Sequence, residues 1–198
     1  MNYRSIIFYL GYLSFPISIL SFLNILYSSY FDYFLNVNSY IITLVVSLSI
    51  GTIFYFFGKK SSKKLDFYEQ LFLIFLSYFL VSIFISIPYY LSNYQILFID
   101  SFFEAASGLT LTGFSIFENV KYLDPTLILW RSSSQWIGGL YFLIYLMIIF
   151  SNKQFNYKLN YLTYSGDYNF NNEKNIKDLI LKILIIYFIL SALIFFLL

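Results

Sequence analysis

The chain has 198 residues, of which 60% are hydrophobic and 11% charged, with a mean hydropathy of +0.73. A water-soluble domain of this length cannot hide so much apolar surface, so the lipid bilayer is the solvent. Cysteine and histidine are both absent and the net charge is only +2, which excludes disulfides, thiol nucleophiles, the commonest zinc ligands and the commonest general base, and argues against nucleic acid as a partner.

The first apolar run is Ile6 to Tyr27, with Pro16 inside it. Only Arg4 precedes it as a charge and no small-residue cleavage site closes it, so it reads as a retained membrane helix kinked at the proline. The second run, Tyr40 to Phe57, carries no charge. The third, Leu71 to Tyr90, is expected to stop near Pro88. The fourth is Leu127 to Phe150, interrupted by Arg131 and a polar Ser132–Gln135 patch, and the fifth is Leu179 to Leu198. Each is close to the ~20 residues that a spanning helix needs. The many aromatics (21 Tyr and 25 Phe) match a nucleotide bias towards A and T, and some would anchor at the membrane interface.

Between the third and fourth runs lies Phe98 to Ser107, too short to span. It places Asp100 and Glu104 on one helical face and stops at Ser107-Gly108. Thr110 to Gly113 follows as an extended stretch, and Phe114 to Pro125 leads to the next span. Backbone that is neither helix nor barrel survives at membrane depth only where protein buries it or where it lines a watery cavity. A hairpin that dips into the membrane and returns is how ion filters are built: backbone carbonyls replace the water shell of a cation such as K⁺. Glycine turns the chain there, threonine adds or braces oxygen ligands, and the C-terminal end of the short helix adds negative potential.

Arrangement of Lys and Arg sets the expected orientation. Alternating the spans groups Arg4, the Lys59–Lys64 cluster and a Ser151–Asp178 loop with Lys153, Lys158, Lys174 and Lys177. The other side holds Lys121 beside Asp32, Glu118 and Asp124. The excess of cations predicts a cytoplasmic N-terminus and a re-entrant hairpin entering from outside.

The stretch Ser107-Gly-Leu-Thr-Leu-Thr-Gly113, followed by Leu129-Trp-Arg and Gln135-Trp-Ile-Gly-Gly139, resembles the Trk/Ktr/HKT superfamily of potassium transporters, most of all the bacterial TrkH-type subunit. Tyr141 departs from the family's frequent glycine at that place. The resemblance implies an all-α integral membrane fold: here, five transmembrane helices plus one re-entrant pore helix and filter loop. Residues 1–65 would be an N-terminal helix pair, 66–152 the first helix–pore loop–helix repeat, and 153–198 a cytoplasmic loop and the first helix of a second repeat. Because the family carries four repeats in one polypeptide, the chain reads as an N-terminal fragment, a truncated gene or one part of a split protein.

By position, the resemblance makes Thr110, Leu111, Thr112 and Gly113 the carbonyl donors for potassium, and Gly113 goes with K⁺ rather than Na⁺. Asp100, Glu104, Ser107, Gly108 and Arg131 would support the pore or line its vestibule. Potassium is the permeant ion and no cofactor is implied. Implied partners are lipid, the remaining repeats, a second pore subunit in a homodimer, and a cytosolic nucleotide-binding regulatory subunit of the TrkA/KtrA kind, in a cell inner membrane.

Plainer alternatives stand beside these. Thr110–Gly113 could be an outer turn, and Asp100 and Glu104 solvated charges at a helix start. Arg131 could snorkel or pair with Asp124 or Glu118. Trp130 and Trp136 read as interface anchors or packing residues. Gly138 and Gly139 allow close helix approach, and Lys59–Lys64 is a topology signal. A membrane enzyme would need clustered ionisable or nucleophilic groups that the spans lack; a non-conducting assembly or regulatory module is the remaining alternative.

Overall fold

The computed structural model of the chain describes residues 2–61, 65–150 and 173–197. All secondary structure described there is helical: α1 (Tyr3–Tyr30), α2 (Val37–Gly58), α3 (Phe67–Tyr90), α4 (Phe98–Leu109), a single 3₁₀ turn (Val120–Tyr122), α5 (Pro125–Phe150) and α6 (Glu173–Leu197). Among the described residues, four helices are long and apolar enough to cross a membrane: Tyr3–Tyr30, Val37–Gly58, Phe67–Tyr90 and Pro125–Ile149. The run expected as a fifth span falls on α6, whose apolar described part is the shorter Leu181–Ile194. Lys63, Lys64 and the 151–172 part of the expected Ser151–Asp178 loop lie outside the described residues, and the remainder of that expected loop, with Lys174 and Lys177, is the helical start of α6. The fold is that of an all-α, multi-pass membrane protein.

Two compact units divide the chain, Met1–Gly139 and Leu140–Leu198. In the second, Tyr141 and Tyr145 set their rings 5.9 Å apart on consecutive turns of α5, and the Ser191 hydroxyl on α6 donates to the Tyr187 carbonyl at 2.8 Å.

The first unit holds the site, and α1 and α2 form its closest helix pair. Lipid tails give two apolar helices no hydrophobic reason to associate, so close approach through small residues carries the contact. Ser14, Ser18 and Ser21 on α1 and Thr43, Ser47 and Gly51 on α2 are all buried. Ser18 and Ser47 share a hydroxyl–hydroxyl bond of 2.8 Å across the seam. A Cβ on Gly11 would meet the Gly51 carbonyl oxygen at 2.8 Å. Other hydroxyls return to their own helix, as Ser14 does to the Leu10 carbonyl and Thr43 to the Ser39 carbonyl, which satisfies them where no water can.

α3 begins with a reciprocal cap in which the Asp66 backbone N–H donates to the Glu69 carboxylate at 3.1 Å. Its end falls where expected: Pro88 lies inside the last turn and the helix runs to Tyr90. One turn from the terminus a proline removes a single hydrogen bond, and the helix tolerates it. α5 starts at Pro125, a favoured first helical position because its missing N–H would be unpaired anyway. The Asp124 carbonyl accepts from the N–H groups of Leu127 and Ile128. Asp124 also joins three elements: its carboxylate accepts from Asn36 at 3.2 Å and from Thr126, and its N–H donates to the Tyr94 hydroxyl at 2.7 Å.

Candidate functional site

α4 is twelve residues long, ~18 Å at the usual helical rise and well short of the ~30 Å hydrocarbon layer. It packs on α3, with Phe102 and Phe79 ring centroids 5.6 Å apart. It runs to Leu109, two residues past the expected stop at Ser107, because Gly108 lies inside the last turn. A Cβ on Gly108 would come within 2.6 Å of the Ser134 hydroxyl on α5. Gly138, one turn further along α5, lies against the same helix end, where an added Cβ would fall 2.2 Å from the Leu109 carbonyl oxygen. Glycine at 138 is therefore a requirement of close approach between α4 and α5, whereas at 108 an added methyl would meet only the Ser134 hydroxyl.

The segment expected to be extended, Thr110–Gly113, is instead a tight left-handed exit from the helix. Leu111 has φ +61° and Gly113 φ +78°. The Leu111 N–H donates to the Gly108 carbonyl and the Thr112 N–H to the Ser107 carbonyl, both at 3.1 Å. That pair of bonds is the Schellman closure of a helix, which needs a left-handed residue at the position Leu111 occupies. The Thr112 hydroxyl adds bonds to the Ser107 carbonyl (3.2 Å) and the Ser107 hydroxyl (3.1 Å). The Ser107 hydroxyl in turn donates to the Phe114 carbonyl at 2.7 Å. Gly113 differs from the other two glycines: no atom lies within 4 Å of where its Cβ would be. Its requirement is the positive φ alone.

Behind this loop, Arg131 and Glu104 form a buried ion pair. Glu104 has no exposed surface and Arg131 is 9% exposed. The Glu104 carboxylate accepts from the Ser115 hydroxyl (3.2 Å) and the Ile116 N–H (2.9 Å). Arg131 donates to the Ser115 hydroxyl (3.3 Å) and to the carbonyls of Gly113 and Phe114 (3.4 Å each). Two buried charges survive only with such pairing and hydrogen bonding. The arrangement ties α4, the loop and α5 together.

Several expectations are corrected here. Arg131 neither snorkels nor pairs with Asp124 or Glu118: Asp124 is engaged by Asn36 and Thr126, and Glu118 is exposed. Asp100 and Glu104 do not form one solvated acidic face, since Asp100 is half-buried and Glu104 fully enclosed. For Trp130, read as an interface anchor or a packing residue, the packing reading holds. It is 1% exposed, and its indole N–H donates to the Ile85 carbonyl of α3 at 3.0 Å. Ser115 and the Phe114 carbonyl were not singled out in the sequence. A serine in a polar return loop gives no signal of its own.

No family model and no solved structure matches this chain. Among curated proteins, an uncharacterized cation transporter of Methanocaldococcus jannaschii is 32% identical over 111 residues, 55% of this chain and 23% of that protein. The Trk system potassium uptake protein TrkG of Escherichia coli is 31% identical over 102 residues, 51% of this chain and 21% of its own length. The Trk system potassium uptake protein TrkI of Halomonas elongata is 37% identical over 65 residues, 33% of this chain and 13% of that protein. The matched part thus spans less than a quarter of each relative. By name these relatives are a cation transporter and two potassium uptake proteins.

Proposed function

We propose that this chain, which is related by sequence to the Trk potassium uptake proteins, contributes one wall of a potassium-conducting pore. The observation that carries the reading is the loop Thr110–Gly113. It leaves a helix too short to span, turns left-handed at Leu111 and Gly113, and is braced from behind by the Glu104–Arg131 pair. Exposed backbone at the C-terminal end of a short helix offers a dehydrated cation both carbonyl ligands and the negative end of the helix dipole. Gly113 fits a K⁺ path because only glycine takes its backbone conformation without strain.

In this reading α4 is a re-entrant pore helix between spans α3 and α5, and α6 is a fifth span. Residues 1–65 form an N-terminal helix pair, 66–152 the first pore repeat and 153–198 the approach to a second. Asp100 lies towards the vestibule, while Ser107, Gly108, Glu104 and Arg131 support the loop. One loop cannot encircle an ion, so the remaining repeats come from the rest of the longer polypeptide or from companion chains. The distribution of Lys and Arg supports an N-terminus on the cytoplasmic side of the inner membrane. A homodimer of pores and a cytosolic nucleotide-binding subunit complete the assembly.

Growth of a potassium-auxotrophic bacterium expressing the full reading frame tests this. Rescue at low external K⁺ that Gly113→Ser weakens or opens to Na⁺ supports the reading. Rescue that is indifferent to the substitution rejects the loop as the ion path, and failure to rescue favours a non-conducting assembly module.

A further inference from the structure

The start of α1 and the end of α2 are pressed together, and Gly58 allows it. A Cβ there would fall 2.6 Å from the Arg4 carbonyl oxygen and 2.5 Å from the Phe8 Cβ. The contact gathers three cations: Arg4 from the first turn of α1, and Lys59 and Lys60 from the residues that follow α2. All three are exposed, and among the described residues no ion pair engages them. The acids at the start of α3 are already bonded. Glu69 accepts the N–H groups of Asn2 and Asp66, and the Asp66 side chain accepts a backbone N–H of its own cap. Three cations held at one corner without a counter-charge attract an anion.

An aromatic layer lies one turn further into the helix pair. Phe8 is one turn from Arg4, and Tyr55 is one turn from Lys59, which keeps helical backbone angles (φ −54°, ψ −33°). The Phe8 and Tyr55 rings stack with centroids 5.4 Å apart, and Tyr12 meets them edge-on at 5.1 and 5.5 Å. Beside this layer, Ile53, Phe56 and Phe57 of α2 are exposed. The 22 residues of α2 reach ~33 Å, enough to cross the ~30 Å hydrocarbon layer and bring Lys59 to the depth of the lipid head groups.

Charge, then aromatic rings, then exposed apolar side chains is the order of a phospholipid read from its phosphate to its chains. We infer that the corner formed by Arg4, Lys59 and Lys60 binds the phosphodiester of an acidic membrane phospholipid, whose acyl chains lie along the exposed apolar face of α2. The Arg4 guanidinium suits two phosphate oxygens at once, and the lysines supply point charge. A free phosphate would use the cations and leave the apolar face below them without a role. The inference is independent of the ion path.

The test is photocrosslinking on the protein from the full reading frame, reconstituted in vesicles of equal parts phosphatidylglycerol and phosphatidylcholine. Phe57, 63% exposed, is replaced by p-benzoyl-phenylalanine, and mass spectrometry of the peptide gives the ratio of the two lipid adducts. The acidic lipid should exceed its share of the vesicle by about fivefold or more, the attraction of a single cation at a membrane surface. Arg4→Gln/Lys59→Gln/Lys60→Gln should return the ratio to within about twofold of the vesicle's, whereas Arg4→Lys/Lys59→Arg/Lys60→Arg should keep the enrichment. Lys121→Gln/Lys182→Gln, which removes charge from other elements, should leave it unchanged.

A wild-type ratio equal to that of the vesicle overturns the inference, as does enrichment that survives the triple neutralisation. Loss in the charge-conserving variant, or an equal loss in the Lys121/Lys182 variant, would mean packing or overall charge and overturns it too. Absence of any lipid adduct would mean that protein covers this face. Enrichment abolished by excess inorganic phosphate on both sides of the membrane, at constant ionic strength, would assign the cations to a soluble phosphate instead of a lipid.

Discussion

Arg131 of α5 and Glu104 of α4 meet as an enclosed ion pair directly behind the backbone of Gly113 and Phe114. Removing either charge leaves the other buried and unpaired, at a cost of about 3–5 kcal/mol. Arg131→Ala and Glu104→Ala should each lower the thermal unfolding midpoint and the membrane yield of the protein. The Arg131→Met/Glu104→Leu double variant should recover much of the loss. The check is a double-mutant cycle read by thermal unfolding in detergent. Additive losses would mean that the two charges do not act as a pair.

Leu111 is a branched side chain at φ +61°, a conformation that costs an ordinary residue roughly 1–2 kcal/mol. Leu111→Gly should therefore leave stability unchanged or raise it by up to about 1 kcal/mol, whereas Leu111→Val should lower it, since β-branching is least compatible with positive φ. Thermal unfolding of the two variants decides the matter. A Leu111→Gly protein less stable than the valine variant would contradict the left-handed exit.

Gly138 faces the Leu109 carbonyl with no room for a methyl group. Gly138→Ala forces α5 away from the end of α4, and overpacking of this kind costs typically 1–3 kcal/mol. Gly113→Ala meets no atom and costs only its conformational strain, about 1 kcal/mol. The two alanines should therefore separate: Gly138→Ala should lose folded protein, and Gly113→Ala should keep folded protein but lose uptake. Membrane abundance measured alongside ⁸⁶Rb⁺ uptake gives both quantities.

Trp130 ties α5 to α3 through its indole N–H and the Ile85 carbonyl. Trp130→Phe keeps most of the ring contact and leaves that carbonyl without its partner, for a loss of about 1–3 kcal/mol. An unchanged unfolding midpoint would argue against a packing role.

Helix positions were legible because hydropathy over ~20 residues is the strongest signal a membrane protein carries. All the expected runs coincide with helices; the short helix runs two residues past its expected end at Ser107, and α6 begins at Glu173, six residues before the expected Leu179. The loop was legible as a glycine- and threonine-rich break. Its conformation was not, because leucine rarely adopts positive φ and nothing local marks Leu111. The Arg131 partner was illegible for a different reason. Asp124 and Glu118 are nearer in sequence, and only the packing of α4 on α5, set by Gly138, brings Glu104 into reach. A usable clue was present: one acid on a short apolar helix and one base in a spanning helix each need an opposite charge.

The central claim, that the Thr110–Gly113 loop forms part of a potassium path, is tested most directly by ion flux. The protein from the full reading frame, reconstituted in liposomes under a fixed diffusion potential, should pass K⁺ and Rb⁺ well ahead of Na⁺, and Gly113→Ser should reduce that preference without reducing the reconstituted protein. Flux with the same preference in wild type and Gly113→Ser would contradict it.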